Sequence, residues 1–80
     1  MKISIDISYY PLKVEFKTPI KGFIKRLQTY KDINVLRNGM STQVFGEYDE
    51  VMKIITKEIK KSFEIPSSIF ILKMVNSDLQ

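Results

Sequence analysis

Eighty residues with 44% apolar side chains, among them four Tyr and five Phe, suffice for one small hydrophobic core. Cys and His are both absent, which excludes disulfides, thiolate metal sites and the commonest metal ligand and general base. Thirteen Lys and Arg against nine acids leave a net charge of +4, so phosphate-bearing partners must be weighed against lysines that merely keep helices in solution.

The N-terminal segment alternates where a secretory signal would be continuously apolar, and no stretch is long enough to span a bilayer. A soluble, cytoplasmic protein without membrane contacts is expected. Ile3, Ile5 and Ile7 alternate with Ser4, Asp6 and Ser8, the period-two pattern of a strand with one apolar and one polar face. Pro11 ends it, because proline cannot donate to a ladder. In the loop that follows, Val14 and Phe16 are expected to tuck against the domain edge.

Thr18-Pro19 has the form of a helix start, a hydroxyl N-cap before proline in the first turn. Ile20, Phe23, Ile24 and Leu27 then make one buried stripe, with Lys21, Lys25 and Arg26 off it. Ile33 and Val35 mark a second strand. Asn38-Gly39 is the preferred pair for a two-residue hairpin with positive φ. A third strand over about 40–46 would send Met40 and Val44 inward and Ser41, Gln43 and Phe45 outward. Acids at Glu47, Asp49 and Glu50 favour a helix N-terminus. Val51, Ile55, Ile59 and Phe63 form its predicted inward face, opposite Lys53, Lys57, Lys60 and Lys61. Pro66 stops this helix, 69–72 is a final apolar strand, and 76–80 is a polar tail.

The order is β-α-β-β-α-β in a single domain over 1–75. Right-handed crossovers put both helices on one face of a four-stranded antiparallel sheet, a ferredoxin-like α+β sandwich. The first and third strands are then central neighbours. Their outward residues, Asp6, Ser8, Tyr10, Ser41 and Gln43, gather into a patch of hydroxyls, an amide and a carboxylate beside an aromatic ring. These five are the candidate ligand-binding residues. Thr42 points toward the helices and has a structural role; Tyr9 and Phe45 are packing residues. The final strand is apolar on both faces, and a strand of that kind expects cover on both. A second copy laid sheet against sheet supplies the missing cover, so a homo-oligomer, dimer or tetramer, is expected.

The segment 4–12, Ser-Ile-Asp-Ile-Ser-Tyr-Tyr-Pro-Leu, resembles the first strand of the YkoF-like thiamine/hydroxymethylpyrimidine-binding family. The segment 40–52, a Ser-Thr strand running to Gly and an acidic helix start, is similar to the same family. The resemblance implies a ferredoxin-like domain that pairs sheet to sheet and holds thiamine or its pyrimidine moiety without catalysis or a cofactor. Family members commonly carry two such domains in tandem where this chain has one, which again calls for a second copy. Lys13 stands where many relatives have Gly. In such a site Asp6 would accept from the 4-amino group or offset the thiazolium charge. Ser8, Ser41 and Gln43 would complete the hydrogen bonds, and Tyr10 would offer a ring for stacking.

Other functions fit less well. RNA-recognition domains share the topology, but their glycine-aromatic third-strand motif is missing and the lysines fall on the helices. Catalysis is not expected, because no nucleophile–base pair can be assembled and no Gly-rich phosphate cradle is present. A homo-oligomeric structural or regulatory module that binds no ligand is the alternative, since fold alone does not imply function.

Overall fold

The alternation of the first ten residues and the two amphipathic stripes are realised in three dimensions. The computed structural model describes residues 1–80. It contains β1 (Lys2–Pro11), α1 (Lys17–Gln28), β2 (Ile33–Arg37), β3 (Thr42–Glu47), α2 (Tyr48–Ser62) and β4 (Ser68–Val75). The sheet is four-stranded and antiparallel in the order β2-β3-β1-β4, so β1 and β3 are central. With both helices against one face, this is a ferredoxin-like α+β fold. No helix is long and apolar enough to cross a membrane.

Ile3, Ile5, Ile7 and Tyr9 of β1 pack under the helices, where they meet Phe23, Ile24 and Leu27 of α1 and Val51, Ile54 and Ile55 of α2. Each such side chain contributes about 1.5–3 kcal/mol by leaving water. Tyr9 stacks on Phe70 with ring centroids 4.2 Å apart, and Phe23 meets both rings edge-on at 5.6 and 5.1 Å. This aromatic cluster ties β1, β4 and α1 together at the Pro11 end of the sheet.

Several local features differ from the sequence expectation. Thr18 does not cap α1, which begins one residue earlier. The Glu15 carboxylate accepts from the amides of Lys17 and Thr18 at 3.1 and 3.2 Å instead, and the Thr18 hydroxyl first, then these amides, hold its pKa below the usual value. A charged acceptor serves the positive end of the helix dipole better than a hydroxyl. Val14 and Phe16 do not tuck in; Val14 is fully exposed and Phe16 about half so.

Met40 is exposed, not inward, because Arg37 pairs with Thr42 and leaves 38–41 as a four-residue connection. The inward residues of β3 are therefore Thr42 and Val44. Gly39 has no positive φ, so the two-residue turn expected at Asn38-Gly39 is not formed. Asn38 acts through its side chain: Oδ1 accepts from the amides of Met40 (2.7 Å) and Ser41 (3.1 Å), an Asx-type turn.

Phe63 caps the end of α2 half-exposed, its ring edge-on to Phe70. The inward face of α2 runs through Glu58 and Ser62 instead. There Arg26 of α1 donates from Nε to Glu58 Oε1 (2.7 Å), and from Nη2 to Ser62 Oγ (2.8 Å) and the Glu58 carbonyl (3.2 Å). The Tyr30 hydroxyl donates to Glu58 Oε2 at 2.6 Å. Burial pushes the Glu58 carboxyl up, but the bonds from Tyr30 and Arg26 outweigh it and its pKa lies below the usual value. A buried carboxylate thus joins the helices in place of a fourth apolar residue.

Candidate functional site

Because β1 places its isoleucines under the helices, Ser4, Asp6, Ser8 and Tyr10 occupy the opposite face of the sheet. The register puts Gln43 of β3 and Lys73 of β4 on either side of Asp6. It also sets Ile71 beside Ser8 and Ile69 beside Tyr10. Asp6, Ser41 and Gln43 meet directly. Asp6 Oδ1 accepts from Ser41 Oγ at 2.5 Å and from Gln43 Nε2 at 2.9 Å, and Gln43 Nε2 also lies 2.7 Å from Ser41 Oγ. The turn at Asn38 aims Ser41 at the carboxylate. These bonds, chiefly the one from Ser41, hold the Asp6 pKa below its usual value, with a smaller contribution from the charge of Lys73. Asp6 is ionised at neutral pH, and Oδ2 receives no hydrogen bond from the chain.

Ser8 and Tyr10 do not join this triad. Together with Ser41 they line a cleft of about 120 Å³ that wraps around the end of the sheet, floored by Ile20 and Phe23 and rimmed by Gly39 and Met40. A second hollow, of about 290 Å³, lies along the sheet between Asp6, Lys73, Phe45, Val75 and Leu79. Asp6 opens onto the second hollow and Ser41 onto the first, so the triad stands between them. The 120 Å³ cleft is well below the about 300–1,000 Å³ of pockets that enclose a drug-sized molecule.

The two ends of the sheet face are unlike. Toward Pro11 it exposes Tyr10, Ile69 and Ile71. Toward the other end, residues 76–80 lie across it. Ser4 Oγ donates to the Ser77 carbonyl (2.6 Å) and accepts from the Leu79 amide (2.9 Å), while Asn34 Nδ2 donates to Gln80 Oε1 (2.9 Å). Phe45, though it faces away from the helices, is only 7% exposed. Asn38, Lys73 and Leu79 are the site residues that sequence reasoning did not select. Lys73 could have been found from the strand register, whereas a polar tail carries no pattern that announces a docked position.

The fold and this geometry define a small ferredoxin-like domain with a polar, ionised centre on its open sheet face. Solved structures share the architecture over nearly the whole chain. Protein SP2199 from Streptococcus pneumoniae is similar with a TM-score of 0.88 at 23% identity, covering 99% of this chain and 90% of that one. A Thermotoga maritima protein provisionally described as a thiamine biosynthesis/salvage protein gives 0.83 at 16% identity, covering 100% and 85%. A domain of unknown function, DUF77, from Bacillus cereus gives 0.79 at 13% identity, covering 100% and 80%. At these identities the likeness is one of fold. No family model matches the chain, and no curated protein does.

Proposed function

We propose that the protein is a non-catalytic, cytoplasmic small-molecule-binding protein that holds thiamine or its hydroxymethylpyrimidine moiety at or near a sheet-to-sheet interface between two copies. The observation that carries this is Asp6, an ionised carboxylate anchored through one oxygen with the other left open on the sheet face. A 4-aminopyrimidine offers a donor to that oxygen, and a thiazolium cation gains from its charge. Ser8 and Tyr10 extend the polar and aromatic surface toward the smaller cleft. Exposed Ile69 and Ile71 alongside favour a second copy as cover, which would enlarge hollows too shallow to enclose a ligand in one chain. The provisional link of the Thermotoga maritima structure to thiamine metabolism agrees with this ligand class.

A ligand-free interaction module is the second reading, favoured by the fact that Ser41 and Gln43 spend donors on Asp6 within the chain. Native mass spectrometry with and without thiamine separates the two. The expected species is a dimer or tetramer that takes up one thiamine per chain or per dimer, with roughly tenfold weaker uptake in Asp6→Asn. An oligomer that stays unliganded supports the module, and unchanged affinity in Asp6→Asn rejects the site.

A further inference from the structure

Helix α1 carries Lys17, Lys21, Lys25 and Arg26 and no acid at all. Arg26 is taken up by Glu58, but Lys17, Lys21 and Lys25 recur every fourth residue and so share one face. Like charges at this spacing repel, and the first of them sits at the positive end of the helix dipole. Local choices that oppose the fold's own stability are where functional demands are expected. Glu15 offsets charge only at the first turn; neither Lys21, Lys25 nor Arg37 has a carboxylate within ion-pair distance.

The sheet makes this charge concave. β2 is an edge strand, and Arg37 at its end meets the exposed face of α1, so that Lys21, Ile24, Lys25, Gln28 and Arg37 line a groove of about 270 Å³ without one acid. We infer that this groove binds a small phosphate-bearing anion of the pyrophosphate type. The Arg37 guanidinium matches a pair of phosphate oxygens with two parallel bonds, the lysines supply mobile ammonium charges, and the Gln28 amide adds a neutral donor. Three uncompensated positive charges suit a multiply charged anion, and the groove's volume suits a small molecule better than a polymer. The site is made by α1 and the β2 edge, does not include the Asp6 triad, and does not depend on the ligand proposed there.

The test is calorimetric titration of pyrophosphate into the full chain near physiological ionic strength. Saturable 1:1 binding is expected, weakened roughly tenfold or more in K21Q/K25Q and separately in R37Q. The control K53Q/K57Q removes the same net charge from α2 and is expected to bind as the wild type does. Amide shifts at Ile24 and Gln28 on titration give a second readout in unmodified protein. Binding without saturation, or equal weakening in both double variants, overturns the inference, because it means the net charge alone is felt. Single-stranded RNA that binds more tightly than pyrophosphate, with affinity growing with its length, overturns it in favour of a nucleic-acid surface. ADP distinguishes the source of the phosphate: affinity equal to pyrophosphate shows that the phosphates alone are bound, and tighter binding shows an organic body bound with them, and either supports the site. K21Q/K25Q is expected to melt no earlier than the wild type, since it relieves a repelling pair.

Discussion

Glu58→Ala tests whether the buried ionic link between the helices acts as its geometry indicates. The Glu58 side chain is 6% exposed and that of Arg26 29%. The substitution removes the acceptor of one bond from Arg26 and one from Tyr30. At about 1.5–3 kcal/mol for each hydrogen bond to a charged group, full loss would reach about 3–6 kcal/mol. Arg26 keeps its bonds to Ser62 and to the backbone carbonyl and can turn its partly exposed head toward water, and alanine favours the helix by about 0.5 kcal/mol. The expected net loss is therefore about 2–3 kcal/mol. For a domain of this size, thermal unfolding should shift down by about 10–20 °C.

The pH dependence follows with its sign. The folded pKa of Glu58 lies below its ordinary value of 4.5, so the contribution is whole above that value and is lost as pH falls through the depressed one. The gap in stability between wild type and Glu58→Ala should close as the pH drops below about 4.5. Tyr30, whose pKa the bond to Glu58 raises, should ionise at lower pH in the variant, visible as tyrosinate absorbance. A loss under about 1 kcal/mol at neutral pH, the range of exposed ion pairs, would refute the account, as would a pH-independent gap.

Two further perturbations probe the elements that hold the sheet face in place. Gly46→Ala should cost about 1–2 kcal/mol in urea unfolding, because a Cβ there meets Val51 Cγ2 at 3.0 Å and the Asp32 carbonyl at 3.3 Å; an unchanged midpoint would show that α2 can shift to make room. Removing residues 76–80 should uncover Phe45 and free the Ser4 hydroxyl, lowering stability by about 1–2 kcal/mol and increasing the binding of a hydrophobic dye. Wild-type dye binding in the shortened chain would mean that Phe45 is covered by something else.

The sequence by itself determined the element order, the topology and the side of the sheet that each β1 residue occupies. Those are consequences of period: Ile3, Ile5 and Ile7 cannot face the helices without turning Ser4, Asp6 and Ser8 the other way. The same logic placed Gln43 on the outer face of the strand neighbouring that of Asp6, so most of the candidate site was legible in the sequence, while the direct pairing of the two residues came from the register. The inward stripe of α1 was equally plain. What misled was chemistry that works at a distance or in place of a motif. Asn38-Gly39 has the composition of one turn and the side-chain bonding of another; which forms depends on the pairing of Arg37 with Thr42. Thr18 could cap a helix, yet Glu15 meets the amides of Lys17 and Thr18 with a full charge and the helix starts ahead of Thr18.

Tertiary structure alone decided three further things. Arg26 and Glu58 are both polar residues on helix faces, and only the packing of α1 on α2 turns them into a buried pair. Residues 76–80 look like solvent-exposed chain, and only the position of Ser4 and Asn34 on the sheet gives their backbone and side chains partners. Arg37 joins Lys21 and Lys25 only because the β2 edge lies against α1. In each case the partners are far apart along the chain, and a hydrogen bond or a field between distant residues leaves no periodic trace in the sequence. Burial does leave one, because it repeats with the geometry of the element that is buried.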